Sequence, residues 1–467
     1  WKASAYIVKT RPTDDPLVSR LEKDGGIIYS IETDSEFRIL SDLLGEHNIL
    51  LDGVLGTGIK LPLRGKIAEL LETTRSLLEG IEDPPEVVAV DCPSGVDSDS
   101  GEVAPECICA DLTVTMAAVK SGLLKFPAYN TVGKLRLVGI GLVPDDKRSK
   151  TWRKIKTVVA DPDTVRKVLP KRPLDAHKGT FGTALVVAGS VNYTGAAMLS
   201  GKAAYRIGAG LVTLAVPAPL HSVLAGHLPE ATWIILPHEL GVISADAARV
   251  LVENIERPTA LLLGPGFGVE ETTRDFLAAL IGVSSKKSSR SIGFVPPPND
   301  SERGGELILP PMVIDADGFK LLKQIKDWKN KLPAPAVLTP HPGEMSFMTG
   351  LSTSEIQADR ISVAEESAKK WGHVVVLKGA HTIVASPDGR MTIIPIATPA
   401  LARAGTGDVL AGLIVGLIAQ GVGAYESAVA SCWIHAQAGL YAEALYGTSA
   451  PVLAGDVLDM VPEVLRE

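Results

Sequence analysis

Cysteine and aromatic residues are scarce in this 467-residue sequence, and basic residues are outnumbered by acidic ones. Four cysteines form no disulfide framework in a chain of this size, and Cys107 and Cys109 have no second pair to complete a metal site. A net charge of −8, without a basic stripe interleaved with aromatics, argues against a nucleic-acid partner. No uncharged apolar run is long enough to span a bilayer comfortably, and no repeat of fixed period occurs. These absences leave an ordinary globular protein, and the free cysteines predict the reducing cytoplasm.

The length predicts two or three domains, since a domain averages roughly 150 residues. Residues 141–153 predict a linker, so we expect one domain at 1–150 and another at 151–467. Residues 284–305, rich in Ser, Lys, Pro and Gly, predict a mobile surface insertion and not a third domain. The opening residues 1–8 predict a strand with no methionine before it, so we expect the natural N-terminus to lie outside this sequence.

One stretch near the C-terminus carries the strongest chemical signal. Gly405-Thr406-Gly407-Asp408 precedes an uncharged apolar run, 409–419, that predicts a helix buried on most sides. The N-terminus of such a helix presents free backbone N–H groups and a positive dipole end, which together favour a bound phosphate. Asp408 beside this site is suited to act as a base in phosphoryl transfer to a hydroxyl. The alternative is a carboxylate that only stabilises its own helix.

The first third of the sequence predicts a parallel sheet covered by helices on both faces. Two of its strands end in an aspartate, at Asp52 before a glycine loop and at Asp91 before Cys92-Pro93-Ser94. Asp52 and Ser94 offer oxygen ligands for a hard cation, and Asp91 offers an acid–base carboxylate. Alternatively, both aspartates only cap turns. The strands are expected at 49–52, running into the loop to 58, and at 86–91, 111–116 and 134–140, with helices at 65–71 and 74–78.

The remaining sequence predicts a second, longer α/β series. Strands are expected at 183–188, 211–216, 260–263, 312–315, 336–339 and 374–377, followed by an antiparallel hairpin of 382–385 and 391–395, and a helix at 193–208. Gly, Pro or polar residues follow five of these strands, at 189–190, 264–268, 315–317, 339–344 and 378–382. Each loop alone is weak evidence for a binding site, and a lone histidine such as His341 is more often structural than catalytic. Together with Gly405–Asp408, they predict a nucleotide pocket with Lys378 near phosphate oxygens.

These motifs, in this order, resemble those of the bifunctional NAD(P)H-hydrate repair enzymes, in which an epimerase domain is fused to a nucleotide-dependent dehydratase domain. The motifs of the second series are residues 175–182, 188–190, 264–266, 339–344, 378–382 and 405–408, and those of the first are 52–58 and 91–97. The family's Asn-Asn-Gly-Gly-Asp loop, expected before these motifs, is not in this sequence.

The resemblance implies a Rossmann-like three-layer αβα fold for the first domain and a ribokinase-like α/β fold for the second. It implies that hydrated NADH or NADPH is phosphorylated on its ring hydroxyl by ADP or ATP and then loses phosphate, with K⁺ and Mg²⁺ as cofactors. It also implies a homo-oligomer. By the family pattern, the nucleotide would contact Lys378, Gly379, Ala380, His381, Thr382 and Gly407, and the dehydratase substrate would contact Ala196, Gly266, His341 and the base Asp408. In the epimerase domain the substrate would contact Gly56, Thr57, Gly58 and Asp91, with K⁺ at Asp52 and Ser94.

Two other functions are consistent with the sequence. The second domain could be a vitamin or sugar kinase of the same fold, which would stop at a stable phosphate ester. The first domain could be a non-catalytic dimerisation or binding module. The loop His341-Pro342-Gly343-Glu344 and the fused first domain argue against the kinase, and the presence of Asp52, Asp91 and Ser94 argues against the module.

Overall fold

The computed structural model describes residues 2–12, 14–141, 155–282 and 308–466. The chain forms two compact units, Trp1–Lys154 and Ile155–Glu467. The expected linker beyond Gly141 and the expected insertion at 284–305 lie outside the described residues. None of the helices in the described ranges is both long and apolar enough to cross a membrane.

The first unit is built on a parallel sheet with the strand order β3-β4-β5-β6. Its strands are β1 Ser4–Ile7, β2 Ile27–Ser30, β3 Ile49–Asp52, β4 Glu86–Val90, β5 Leu112–Met116 and β6 Lys134–Val138; β1 and β2 form a separate parallel pair. Its helices are α1 Pro16–Lys23, α2 Arg38–Glu46, α3 Lys66–Gly80 and α4 Tyr129–Val132, with 3-10 turns at Ile31–Thr33 and Ser121–Leu124.

One expectation for this unit is wrong in detail. The two helical stretches predicted at 65–71 and 74–78 are a single helix, α3, because no Gly or Pro interrupts the chain between them. Leu70, Leu71 and Thr74 are buried along one continuous face of α3. The helix therefore packs against the core as one body.

The second unit is built on a ten-stranded sheet with the order β10-β9-β8-β13-β14-β15-β16-β17-β18-β7, in which only β17 runs antiparallel to its neighbours. The strands are β7 Thr157–Val159, β8 Thr183–Val187, β9 Leu211–Pro217, β10 Thr232–Leu236, β13 Ala260–Leu263, β14 Met312–Ile314, β15 Val337–Leu338, β16 Val374–Leu377, β17 Ile383–Ala385 and β18 Met391–Ile393, and β11 His238–Glu239 pairs with β12 Val242–Ile243. The predicted strands of this series are present, whereas β7 and β10 were not predicted. The expected hairpin is the pair β17–β18.

Helices cover the central strands of this sheet. They are α5 Pro162–Val168, α6 Thr194–Arg206, α7 Ala218–Leu224, α8 Ala247–Val252, α9 Glu271–Gly282, α10 Asp317–Leu322, α11 Trp328–Lys331, α12 Pro342–Thr349, α13 Thr353–Ala358, α14 Arg360–Trp371, α15 Thr406–Ala419, α16 Ala424–Tyr446 and α17 Ala454–Arg466, with 3-10 turns at Lys178–Phe181, Ala225–His227 and Pro399–Leu401. Because both faces are covered, β13 and β16 consist only of buried apolar residues.

Helix α15 is the buried apolar helix that the sequence predicts, with every residue from Val409 to Ala419 buried. It packs closely on α6, because its glycines leave room for the other backbone. A Cβ on Gly412 would lie 2.3 Å from the carbonyl oxygen of Ser200, and one on Gly416 would lie 2.4 Å from Ile207. This close packing fixes the N-terminus of α15, and with it Asp408, relative to the sheet.

Candidate active sites

Five loops meet at one edge of the large sheet, as the sequence predicts. Strands β8, β13, β14, β15 and β16 are consecutive parallel neighbours, so their carboxyl ends lie side by side. The loops that follow them begin at Ala188, Gly264, Asp315, Thr339 and Lys378. Ligands of open α/β sheets bind at this edge.

The ammonium group of Lys378 lies among carboxylates at this edge. Its Nζ is 2.7 Å from Oδ1 of Asp315 and 3.7 Å from Oε2 of Glu344. The same Asp315 oxygen accepts a hydrogen bond of 2.6 Å from Thr339 Oγ1. Burial alone would lower the pKa of Lys378, but Asp315 and Glu344 raise it above its ordinary value. Lys378 therefore stays protonated, and its ammonium group is a suitable partner for phosphate oxygens.

Asp408 faces the same cluster from the first turn of α15. Burial and the nearby charge of Asp315 raise the pKa of Asp408 to about 7, although Lys378 acts to lower it. Asp317 contributes in the same direction as Asp315. A carboxyl group that titrates near neutral pH can accept a proton and release it again, which is what a general base requires.

Gly407 leaves open space in front of Lys378. A Cβ on Gly407 would lie 3.5 Å from Lys378 Nζ and 3.8 Å from Oδ2 of Asp315. The preceding Gly405 has a positive φ of 92° and turns the chain into α15. Thr406 braces the turn, because its hydroxyl donates to the carbonyl oxygens of Leu401 and Arg403. Backbone N–H groups at the helix start and the Lys378 ammonium thus border one small volume, the arrangement expected of a phosphate site.

A half-buried arginine, Arg360, packs under the loop 378–382 and holds its backbone. Arg360 donates from Nη2 to the carbonyl oxygens of Leu377 at 3.0 Å and Lys378 at 3.3 Å. Gly379 has a φ of 144°, and a Cβ there would lie 2.9 Å from Arg360 Nη1. Thr382 closes the turn by donating to the carbonyl oxygen of Gly379. His381 lies in the left-handed region and Ala380 is exposed, so this loop is a tight turn whose first residue supplies the cation.

His341 and Glu344 form the start of α12. Nδ1 of His341 accepts hydrogen bonds from the backbone N–H groups of Gly343 at 2.9 Å and Glu344 at 3.3 Å. Glu344 Oε2 accepts from the His341 N–H at 2.8 Å, which completes a capping box. Burial and Lys378 lower the pKa of His341, so its ring is neutral at pH 7, and its Nε2 lies 3.4 Å from Oε1 of Glu344. His341 therefore caps α12 and also lies at the sheet edge.

Ala196 and Gly266 are brought together at the other end of this edge. Gly266 has a φ of 65°, and a Cβ on it would lie 2.9 Å from the Cβ atoms of both Ala196 and Tyr193. Any side chain at Gly266 would therefore collide with the start of α6. The exposed ring of Tyr193 stands beside this contact. The two predicted substrate-contact residues are therefore adjacent at the sheet edge.

In the first unit, Asp52 and Ser94 are hydrogen-bonded to each other. Ser94 donates from Oγ to Asp52 Oδ1 at 2.5 Å and from N to Oδ2 at 2.7 Å, and Leu55 N donates to Ser94 Oγ at 2.9 Å. Burial raises the pKa of Asp52, and the hydrogen bonds from Ser94 oppose it. Two oxygens thus converge in a buried position, a donor set that suits a hard cation. In the described ranges no three or more His, Cys, Asp or Glu side chains are arranged to hold a metal ion, so further ligands would be carbonyl, water or substrate oxygens.

Asp91 pairs with Lys120, which the sequence did not single out. Asp91 Oδ1 accepts from Lys120 Nζ, from the Met116 N–H at 2.9 Å and from Thr115 Oγ1 at 3.4 Å. Although burial acts to raise the pKa of Asp91, the Lys120 and Met116 hydrogen bonds hold it below its ordinary range. Asp91 has a φ of 73°, a left-handed conformation that is costly for most residues with a side chain but that Asp adopts more readily than most. Asp91 is an ionised carboxylate, suited to a base and not to an acid.

The predicted loop Gly56-Thr57-Gly58 lines a cavity of about 680 Å³ in the first unit. Lys60 and Arg64 line the same cavity, so its wall carries positive charge. Ser98, which follows the Ser94 turn, donates to the carbonyl oxygen of Thr57 at 3.3 Å. The glycine loop and the loop after β4 are thereby joined, which places the cavity beside the Asp52–Ser94 pair.

Sequence reasoning missed Asp315, Glu344 and Lys120 as functional residues, although it noted the first two within strand-end loops. Their importance lies in partners far along the chain: Asp315 meets Lys378 and Lys120 meets Asp91. No local pattern marks such pairs. The signal that could have identified Asp315 is a carboxylate placed directly after a buried apolar strand, the pattern that identified Asp52 and Asp91.

The fold and the edge cluster define a ribokinase-like, nucleotide-dependent α/β enzyme joined to a second parallel α/β unit. The second unit is similar to an ADP/ATP-dependent NAD(P)H-hydrate dehydratase of Bacillus subtilis co-crystallised with ATP and Mg²⁺, with 28% identity, a TM-score of 0.53, and 66% of this chain and 97% of that chain covered. A family model described as NAD(P)H-hydrate dehydratase matches residues 184–289 and 306–462, and one described as YjeF-related protein N-terminus matches 12–122.

Full-length relatives extend the match over both units. The chain is 33% identical over 446 residues to a bifunctional NAD(P)H-hydrate repair enzyme of Moorella thermoacetica, covering 95% of this chain and 78% of that protein. It is 36% identical to the enzyme of that name from Salinibacter ruber, covering 90% and 72%. The chain belongs to the family of bifunctional NAD(P)H-hydrate repair enzymes.

Proposed function

We propose that this chain repairs hydrated NADH and NADPH, through an epimerase domain at residues 1–150 and a dehydratase domain at 151–467. The dehydratase phosphorylates the hydroxyl of the reduced nicotinamide ring with ADP or ATP and then expels phosphate, which restores the cofactor. The observation that carries the proposal is Asp408, a carboxyl group with a pKa of about 7, beside the Lys378 ammonium at the N-terminus of a buried helix.

Each group at the large-sheet edge has a role in this reaction. Asp408 takes the proton of the ring hydroxyl as the oxygen attacks the terminal phosphorus. Lys378 and the N–H groups at Gly407 hold the phosphates, and the turn Gly379, Ala380, His381 and Thr382 contacts the rest of the nucleotide. Ala196, Gly266 and His341 line the substrate side. The phosphate oxygens would hold Mg²⁺, as its preferred ligands, and the ion would neutralise part of their charge.

The epimerase domain interconverts the two hydrate epimers, so that both reach the dehydratase. Asp52 and Ser94 would hold K⁺ with their buried oxygens, and a cation there would offset charge near the substrate. Asp91 acts as the base on the substrate, and Gly56, Thr57 and Gly58 contact it through the loop backbone. The hydrogen bonds of Asp52 with Ser94 and of Asp91 with Lys120 support these roles.

We further propose a cytoplasmic homo-oligomer without nucleic-acid or membrane partners. The free thiols Cys92, Cys107, Cys109 and Cys432 support a reducing compartment. The oligomeric state is measured by sedimentation of the purified chain.

The experiment that tests the function is incubation with hydrated NADH, together with ADP or ATP in turn. We expect the absorbance of reduced nicotinamide to return in step with phosphate release. A small-molecule kinase of this fold would instead accumulate a stable phosphate ester, and that result would overturn the repair function. An epimerically pure hydrate that is converted only after a lag reports the epimerase.

A further inference from the structure

The proposed dehydration has to remove two protons, and Asp408 accounts for one of them. The first proton leaves the hydroxyl when it is phosphorylated. The second leaves the neighbouring ring carbon when phosphate departs and the ring double bond forms. The site therefore has to supply an acceptor for this second proton.

Glu344 is a second ionisable carboxyl group at the same edge. It lies at the N-terminal turn of α12, after β15, and only 10% of its side chain is exposed. Its Oε2 is 3.7 Å from Lys378 Nζ and accepts a hydrogen bond of 2.8 Å from the backbone N–H of His341. Its Oε1 is 3.4 Å from the ring nitrogen Nε2 of His341. One oxygen is thus anchored, and the carboxyl group lies beside the cation that we assign to phosphate.

Charge balance makes Glu344 able to take up a proton. The single ammonium group of Lys378 faces three carboxyl groups, those of Asp315, Glu344 and Asp408. Asp315 forms the direct ion pair with it. Burial, with Asp315 adding to it, raises the pKa of Glu344 to about 7, although Lys378, the His341 N–H and Lys320 act to lower it. At neutral pH the group can therefore both accept and release a proton.

The simpler explanation is that Glu344 only completes the capping box of α12. The chain contains a matched case, because Ser352 and Glu355 form the same capping box at the start of α13. Glu355 is exposed, and its hydrogen bonds with Ser352 lower its pKa. Capping alone thus requires neither the burial of Glu344 nor its place beside Lys378.

We propose that Glu344 is the second base of the dehydratase, accepting the proton from the ring carbon next to the phosphorylated one. This inference rests on the proposed function. In the step, the C–H electron pair becomes the ring double bond, the C–O bond breaks, and phosphate leaves with the electron pair of that bond. The proton passes to a Glu344 oxygen, so no oxidant or reductant is involved.

The test separates the two steps in a single turnover of the whole chain with hydrated NADH and ATP, stopped by rapid quench. Glu344→Gln keeps the shape of the cap but cannot accept the proton. We expect it to consume ATP and accumulate phosphorylated hydrate, while the return of reduced-nicotinamide absorbance slows by about 10²-fold or more. Asp408→Asn should fail one step earlier and form no phosphorylated hydrate. Glu355→Gln, the matched capping substitution, should behave like the wild type.

The result that would overturn the proposal is a Glu344→Gln protein that slows phosphorylation and elimination equally, or that eliminates phosphate at a near wild-type rate. Should this variant not fold, Glu344→Asp replaces it, because the shorter side chain keeps the charge but withdraws the carboxylate from the ring carbon. This variant should still form phosphorylated hydrate and should eliminate phosphate more slowly than the wild type. An unchanged elimination rate in a folded Glu344→Asp protein would exclude Glu344. A wild type that returns no reduced nicotinamide at all would instead refute the proposed function.

Discussion

Lys378 and Asp315 form a buried ion pair, with Nζ 2.7 Å from Oδ1 and only 2% of the Asp315 side chain exposed. The two residues lie 63 positions apart in the sequence and meet because β14 and β16 end at the same sheet edge. Thr339, from the strand between them, hydrogen-bonds the same carboxylate. The pair therefore holds a cation at a fixed point facing Asp408, and its charges set the protonation of that base.

The pair predicts a shifted pH profile for Asp315→Asn. Burial raises the pKa of Asp408 most. The charges of Asp315 and Asp317 raise it further, and the charge of Lys378 lowers it. Removing the charge of Asp315 lowers the pKa of Asp408, so the rising limb of kcat against pH should move down by about one unit. The plateau should fall as well, because Lys378 loses its anchor. An unshifted limb with a lower plateau would assign Asp315 to structure alone.

Asp408→Asn should reduce dehydration by about 10²–10⁴-fold and leave nucleotide binding largely intact, because the amide keeps the shape but cannot accept a proton. A variant that retains more than about a tenth of the wild-type rate contradicts the assignment.

The same substitution should stabilise the fold at alkaline pH. The pKa of Asp408 is about 7 in the fold, against an ordinary value of 3.8, so ionisation progressively costs stability as the pH rises through this window. Above pH 7, thermal unfolding should show a higher Tm for Asp408→Asn than for the wild type, and at pH 4 the two should converge. The opposite order would mean that the pKa is not raised.

Gly407→Ala should weaken nucleotide binding without unfolding the protein. A Cβ there meets Lys378 Nζ and Asp315 only at 3.5 and 3.8 Å, so it fits, but it fills the space that we assign to phosphate. Gly407→Val, which is larger, should weaken binding further. Calorimetric titration with ADP and ATP measures the effect.

The control is Gly405→Ala, where a positive φ of 92° and a contact of 2.7 Å to Leu199 predict a loss of stability instead. An unchanged nucleotide affinity in a folded Gly407→Val protein would show that the phosphate binds elsewhere.

The sequence predicted most of the large sheet because its strands are buried on both faces and therefore read as continuous apolar runs ending in Gly or polar loops. It predicted α15 for the same reason. The edge strands were harder: β10 is largely half-exposed, with the pattern Thr-Trp-Ile-Ile-Leu, and β7 has only three residues. Short, partly exposed strands have no distinct period, and they form because neighbours supply hydrogen bonds.

The site residues differ in the same way, because some are marked by a local sequence pattern and others depend on distant partners. Asp408 was predictable because a local pattern, two glycines before a buried helix, marks its position. Glu344 and Lys120 were not, since their chemistry depends on the partners Lys378 and Asp91, which only the sheet order brings near. Asp315 has a local signal, its place after a buried strand, but its ion pair with Lys378 also depends on the sheet order. Likewise, His341 was predicted at the substrate side, and only the structure shows that its ring also caps α12.

Asp52→Asn tests the epimerase domain, in a protein extended at its N-terminus to include the family's Asn-Asn-Gly-Gly-Asp loop. The Asp52 carboxylate is buried, and burial raises its pKa. Its hydrogen-bond partners, Ser94 and the Val54 N–H, are neutral donors. Among the described residues, the ionised carboxylate therefore has no cationic hydrogen-bond partner. Bound K⁺ would supply that charge, and the wild type should therefore show a higher Tm in K⁺ than in an equal concentration of Li⁺, because a ligand of the folded state stabilises it. In Asp52→Asn this difference should vanish, while epimerisation of the hydrate slows and dehydration of the accepted epimer continues unchanged.

Asp91→Asn is the matched control: it should also slow epimerisation but keep the K⁺-dependent rise in Tm, because Asp91 binds Lys120 and not the Asp52–Ser94 pair. If Asp52→Asn keeps both the K⁺ effect and the epimerase rate, Asp52 only braces the turn at Ser94. A parallel loss of dehydration would show that the two activities are coupled.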